Sequence, residues 1–224
     1  FQRLCEIINQ FIHKSKVPKH KILSMGINIS GRVNTLTGHS YSSFYFDERP
    51  LTEMFENELN INVSIDNDSR AMTYGEYIKG CINGEKNILY VNVSWGLGLG
   101  IIVGGQLYYG KSGFSGEFGH IPAFGNEILC HCGKKGCLET EASGLALHRK
   151  FLEKLHSGHS SLLTQKNGYD PKAPVSLNDI IEVALQEDML AIELIEEIGN
   201  SLGKHIAGLI NLFNPELVVI GGTL

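Results

Sequence analysis

Three of the chain's five cysteines, Cys130, Cys132 and Cys137, fall within eight positions, and His120 lies just upstream. The spacing is His-x9-Cys-x-Cys-x4-Cys. In a reducing compartment such crowding points to a metal rather than to disulfides. One imidazole and three thiolates complete a tetrahedral zinc ion, and a closed set of four leaves no open position for water, so the ion's role is structural. Free thiols beside a surface histidine are the competing reading, and the glycine-rich turn around the cluster weighs against it. Residues 110–137 are rich in Gly, Cys and His with little periodicity, so they need the staple that a metal supplies. Gly133 and Gly136 allow tight turns between ligands. His131 lies between two ligands and is expected to point away from a full set. Cys5 and Cys81 stand alone and read as small buried apolar residues.

The remaining composition is that of an ordinary globular protein: 224 residues, 42% hydrophobic, 19% charged, net charge -5. That balance excludes a basic nucleic-acid surface within these residues, so any DNA-reading element must lie outside them. No apolar run is long enough to span a bilayer and no signal-peptide pattern opens the chain, which reads as cytoplasmic with no membrane partner. There is no initiator Met, and the chain stops just after an apolar strand. It is read as a fragment of a longer polypeptide.

Hydrophobic periodicity alternates between helix and strand along the chain, which gives an α/β class. Helices are expected over residues 1–14, 51–59, 71–79, 138–152 and 176–186, and a long one over 188–213. Strands are expected at 22–29, 62–65, 88–94, 101–103, 107–109 and 217–220, the last of them buried. Residues 32–47 read as loop, and 157–174 as a flexible polar excursion. Gly104-Gly105 is a hairpin signal. Gly199, Gly203 and Gly208 weaken the long helix and suggest close packing or a nearby ligand.

Several residues have the chemistry for a binding site. Asp68 follows a strand and precedes a helix, where a carboxylate can accept a proton from a substrate hydroxyl. It can equally be a helix N-cap, a role that Asp66, Asn67 or Ser69 could also fill. Glu117 and Glu139 flank the cysteine loop and are placed to bind hydroxyls, or are solvated acids. Gly96, Gly98 and Gly100 lie between apolar segments, where backbone could approach a phosphate. No Lys-Ser or Lys-Thr follows to make a P-loop.

Together these segments resemble the ROK family of repressors and sugar kinases, and within it the transcriptional-regulator branch. Met25 to Val33 is similar to the family's strand and Ser-Gly turn. Asp66-Asn67-Asp68 resembles its Glu-Asn-Asp. Gly96 to Gly100 resembles its second phosphate loop, and Gly116-Glu117-Phe118-Gly119-His120 its Gly-Glu-x-Gly-His. Cys130 to Gly133 and Gly136 to Glu139 resemble its zinc signature. Asn214-Pro215 through Gly221-Gly222 is similar to the strand and turn on the nucleotide side.

The resemblance implies an actin-like ATPase, hexokinase-type (ribonuclease H-like) two-lobed fold with sugar in the cleft. Residues 1–65 would be part of the N-terminal lobe, its first strands missing. Residues 66–224 would form the second lobe, with the zinc-stapled loop at 110–139. Gly31, Asn67, Asp68, Glu117, His120 and Glu139 would contact a sugar, a hexose or its N-acetyl derivative. Asp68 would be the base if the protein is a kinase. His120 would hold zinc with one ring nitrogen and face the sugar with the other. Gly96, Gly98, Gly100, Gly221 and Gly222 would serve phosphate and nucleotide, with ATP and Mg²⁺ as cofactors of a kinase only.

The sequence also departs from the family's kinases. Leu97 stands at the place of a phosphate-binding Thr, Arg70 at that of an Asn, and Asp66 at that of a Glu. The Asp-x-Gly-Gly-Thr phosphate loop is absent from these residues. The expected function is therefore the effector-binding part of a sugar-responsive repressor, reading DNA as a homodimer through an upstream helix-turn-helix. A sugar kinase is the alternative.

Overall fold

The structure is a computed structural model and describes residues 1–44, 48–165 and 173–224. The end of the expected 32–47 loop and part of the expected 157–174 excursion lie outside the described residues. Numbered in chain order, the strands are β1 (Met25–Ile29), β2 (Val33–Asn34), β3 (His39–Ser40), β4 (Val63–Asn67), β5 (Ile88–Val93), β6 (Leu97–Val103), β7 (Gln106–Leu107) and β8 (Leu217–Gly222). The helices are α1 (Gln2–Ser15), α2 (Leu51–Leu59), α3 (Asp68–Lys79), α4 (Gly144–His156), α5 (Leu162–Gln165), α6 (Leu177–Leu185) and α7 (Met189–Phe213). Among the described residues no helix is long and apolar enough to cross a membrane.

The chain divides into two compact units, Phe1–Gly84 with Gln106–Ser115, and Glu85–Gly105 with Gly116–Leu224. The boundary expected at 65/66 falls inside β4. Residues 106–115 return to the first unit, a long-range event that no local pattern announces.

In the first unit β1 and β4 pair in parallel, from Met25 opposite Val63 to Ile29 opposite Asn67. Parallel neighbours need a crossover, and α2 lies on that connection. The core joins Cys5, Ile29, Val33, Leu51, Phe55, Leu59 and Ile65. α1 ends at Lys16 and α2 at Asn60, both in the left-handed conformation that closes a helix. The polar 32–44 stretch is not plain loop: β2 and β3 form a short antiparallel ribbon, Val33 opposite Ser40. Cys5 is buried as expected, but Cys81 is exposed, because it follows the end of α3 at Gly80.

In the second unit β5 is buried at all six positions. It runs antiparallel to β6 and parallel to β8. A central strand covered on both faces reads as a nearly continuous apolar run, and Ile88–Val93 is such a run apart from the buried Asn92. β8 is only partly buried, not fully as expected, since β5 alone pairs with it among the described residues. α4, α6 and α7 cover the sheet through Leu147, Phe151, Ile180, Val183, Leu194 and Ile198.

Helix ends in this unit follow local chemistry. Ser176 and Asp179 form a capping box at α6. The Asp188 carboxylate accepts from Ala191 N at 2.8 Å to start α7. Asn214, left-handed at φ 45, ends it before Pro215. The helix expected from residue 138 begins later, at Gly144, because residues 138–140 form a 3₁₀ turn and Ser143 is the cap. A methyl group at Gly199, Gly203 or Gly208 would meet nothing within 4 Å among the described residues, so close packing does not explain these glycines.

Candidate functional site

The first unit brings together Gly31, Asn67 and Asp68. Asn67 closes β4 and caps α3, its Oδ1 accepting from Arg70 N at 3.1 Å. Its Nδ2 donates to the Gly31 carbonyl at 3.0 Å. Because Asn67 takes the cap, Asp68 is free for another role. Its Oδ2 accepts from Ser30 Oγ at 2.6 Å and its Oδ1 from Ser69 N at 2.7 Å. Gly31 sits at φ +92, where a methyl group would lie 2.5 Å from Ser42 Oγ, so glycine is needed there.

In the sequence Asp66 reads as a helix-cap candidate and, like Arg70, as a departure from a pattern. In the structure they form an ion pair, with both Nε and one terminal nitrogen of Arg70 at 2.7 Å from Asp66 Oδ1. Arg70 is 3% exposed. Asp66 lies in β4 and Arg70 in α3, so helix-face spacing does not pair them in the sequence.

In the second unit, the glycine-rich segment is not a loop. Leu97 through Val103 is strand, with Gly98 opposite Asn92 and Gly100 opposite Tyr90. The turn is confined to residues 94–96, closed by Ser94 N donating to Gly96 O at 3.0 Å. Leu97 points into the core, and the side chain at the tip is Trp95, 51% exposed. The turn also seals the start of α4: Gly144 N donates to Ser94 O at 2.8 Å and Leu145 N to Trp95 O at 2.9 Å. Gly221 and Gly222 end β8 where a methyl group would meet Tyr90 Oη at 2.3 Å or Val93 O at 2.2 Å. Both serve close approach of β8 to β5.

His120, Cys130, Cys132 and Cys137 converge, their ligand atoms all within 4.8 Å of one another. Cys130 Sγ is 3.5 Å from His120 Nδ1, and Cys132 Sγ is 3.5 Å from Cys137 Sγ. Tetrahedral zinc with Zn–S bonds of about 2.3 Å sets ligand edges of roughly 3.8 Å, so the donor set fits such an ion. Short backbone bridges shape the loop, Pro122 with Cys137 and Leu129 with Lys135.

Without a cation the three thiols share their acidity unequally. Burial pushes Cys130 up to about 12. Burial also raises Cys137, helped by hydrogen bonding to Cys132. Cys132 moves down: burial opposes the change, but the Lys134 backbone N–H, the neighbouring thiols and the Lys134 charge outweigh it. Three thiolates this close together would need the charge of a dication to hold them.

The carboxylates of this unit are built onto the same loop. His120 turns Nδ1 to the thiols and Nε2 toward Glu117, 3.9 Å from its Oε2. Glu139 is 5% exposed, and its Oε2 accepts from Leu97 N at 3.0 Å. Gly96 permits this, since a methyl group there would lie 2.8 Å from that oxygen. His131 does not point away as expected. Its Nδ1 is 3.1 Å from Glu139 Oε1, and its ring packs edge-on against His120 with centroids 4.9 Å apart.

The profile of the ROK family matches residues 2–224. The DNA-binding transcriptional dual regulator NagC of Escherichia coli (strain K12) is 31% identical over 223 residues, 99% of this chain and 53% of that protein. A glucokinase of Halalkalibacterium halodurans is 35% identical over 213 residues, 94% of this chain and 63% of the enzyme. The crystal structure of a ROK family transcriptional regulator, a homologue of the E. coli MLC protein, matches with TM-score 0.79 and 30% identity, over 99% of this chain and 55% of that one. The chain thus spans little more than half the length of the regulators and under two thirds of the glucokinase. The α/β fold is the actin-like ATPase fold of these relatives, and the chain belongs to the ROK family.

Proposed function

We propose that this chain is the sugar-binding effector domain of a ROK-type transcriptional repressor, with a structural zinc on His120, Cys130, Cys132 and Cys137. Gly31, Asn67, Asp68, Glu117, His120 and Glu139 are the proposed sugar contacts. DNA would be read by an upstream helix-turn-helix in a homodimer. Sugar would bind one conformation preferentially and draw the population away from the operator-binding form.

The observation that carries this reading over a kinase is the β5–β6 turn. A phosphate grip needs free donors aimed at the anion. Here the Leu97 N–H is spent on the Glu139 carboxylate. The first two N–H groups of α4 are spent on Ser94 and Trp95 carbonyls. The Ser94 hydroxyl donates to Asn92 Oδ1 at 2.9 Å, and the exposed tip carries an indole. The kinase reading draws on Asp68, which is not consumed as a cap, and on the glucokinase relative. In that reading ATP and Mg²⁺ bind and Asp68 accepts the sugar hydroxyl proton.

The full-length protein assayed with ATP and a hexose panel is expected to bind sugar without ADP formation above background. Turnover that Asp68→Asn abolishes would reverse the ranking. Glu139→Gln is expected to weaken sugar binding with zinc retained, roughly tenfold or more for a charge-assisted hydrogen bond. Unchanged affinity by calorimetry would remove Glu139 from the site.

A further inference from the structure

We infer that Arg70, paired with Asp66, is a positioning residue that fixes the Asn67–Asp68 turn in the geometry used for ligand binding. The inference rests on the sugar-binding reading of Asn67 and Asp68. Those two residues lie between the partners, so the ion pair spans the turn. Arg70 contributes twice: its backbone N–H donates to the Asn67 cap, and its guanidinium binds Asp66.

The guanidinium also reaches beyond its own helix. It donates to Gly113 O at 2.5 Å and to Val33 O at 3.1 Å. It lies 5.2 Å from the centroid of the Tyr109 ring. Asp66 is held from the same segments, Thr35 Oγ1 donating to its Oδ1 at 3.0 Å and Tyr109 Oη to its Oδ2 at 3.4 Å. Burial, followed by the Asp66 charge, raises the Tyr109 phenol and keeps it a donor. Gly113, at φ +77, admits this approach, since a methyl group there would lie 2.7 Å from Val33 O. The β2 ribbon, the 106–115 segment, β4 and α3 therefore meet at one guanidinium. Lysine cannot reproduce that planar fork of donors. A polar cluster this well satisfied specifies a single arrangement. Two residues away along the ribbon side, Gly31 O receives the Asn67 amide, so the clamp and the binding residues form one hydrogen-bonded patch.

The test uses full-length protein with D-glucose and N-acetyl-D-glucosamine in calorimetry, and amide hydrogen exchange without sugar. Arg70→Met leaves the half-buried Asp66 without its cation, so Asp66→Asn/Arg70→Met is made beside it to remove both charges and retain the fold. Both are expected to keep zinc and to lose sugar affinity at least tenfold. Both should also exchange at least tenfold faster at the backbone amides of Leu36, Thr37 and Ser69 and of position 70, while Arg70→Lys recovers only part of either property. Wild-type affinity and exchange in the double variant would overturn the inference. If wild type binds neither sugar but the variants still lose protection at these amides, the sugar reading fails and the clamp stands.

Discussion

Cys132→Ser is expected to reduce bound zinc from a full complement to a trace and to abolish sugar binding. Cys132 is the thiol of the cluster most ready to ionise, because the Lys134 backbone and charge and its neighbouring thiols outweigh its burial. A serine hydroxyl at that place stays protonated and is a poor zinc ligand. Structural zinc contributes on the order of 10–16 kcal/mol of apparent binding free energy in small sites, so an incomplete set gives up several kcal/mol. Backbone bonds such as Ala123 N and Phe124 N to Gly136 O and Leu138 N to Ile121 O shape the loop, but the tip residue Leu129 is exposed, so the metal is what draws His120, Cys130, Cys132 and Cys137 together. With the metal gone, His120 loses what fixes Nδ1, and Nε2 no longer faces Glu117 in one geometry. Metal analysis of the purified variant and sugar calorimetry check this. Full zinc occupancy in the variant would remove Cys132 from the ligand set. Chelation of wild type should reproduce the loss, and added zinc should restore binding.

That cluster was legible because metal ligation imposes spacing on the sequence itself. The cap of α6 was legible for a similar reason, since Ser176 acts on an amide three residues away; Asp188, which caps α7, reads in the sequence only as the start of its helix. The glycine-rich strand was not legible. Gly98 and Gly100 lower strand propensity, and what holds them in β6 is pairing with β5, a partner that the local pattern does not name. Leu97 read as a lost phosphate contact, yet its side chain belongs to the core, and the exposed residue of the turn is Trp95. His131 read as a bystander because the four-ligand pattern was complete without it. Its partner, Glu139, lies beyond the last cysteine and is reached only when the loop folds back. Arg70 looked like a mark of lost kinase chemistry. Its burial against Asp66, Val33 and Gly113 makes it a structural centre of the first unit, which leaves the β5–β6 turn as the stronger support for a sensor.

Gly116→Ala is expected to destabilise the second unit far more than the same change at Gly133 or Gly199, because two costs fall on one position. Gly116 sits at φ +83, and a methyl group there would lie 1.9 Å from Leu99 O and 3.1 Å from Leu99 C. The left-handed conformation costs an L-residue about 1–2 kcal/mol. Overpacking adds about 1–3 kcal/mol, toward the upper end because the obstacle is backbone. Leu99 cannot retreat freely, since it is paired with Val91 in the central ladder. The sum, roughly 2–5 kcal/mol, is a large share of a domain stability of about 5–15 kcal/mol. At about 2–4 °C per kcal/mol for a unit of this size, melting should fall by roughly 5–20 °C. The displaced turn also carries function: Gly116 O accepts from Phe118 N at 2.7 Å, and Phe118 anchors the segment bearing Glu117 and His120 in the core. Two controls separate the costs. Gly133→Ala shares a positive φ, +86, with nothing within 4 Å among the described residues, so it should show the backbone cost alone. Gly199→Ala lies inside α7 with open space around it and should stabilise by about 1 kcal/mol. Thermal denaturation of the three variants gives the order, and a Gly116→Ala protein melting with wild type would mean that Gly116 does not pack against β6.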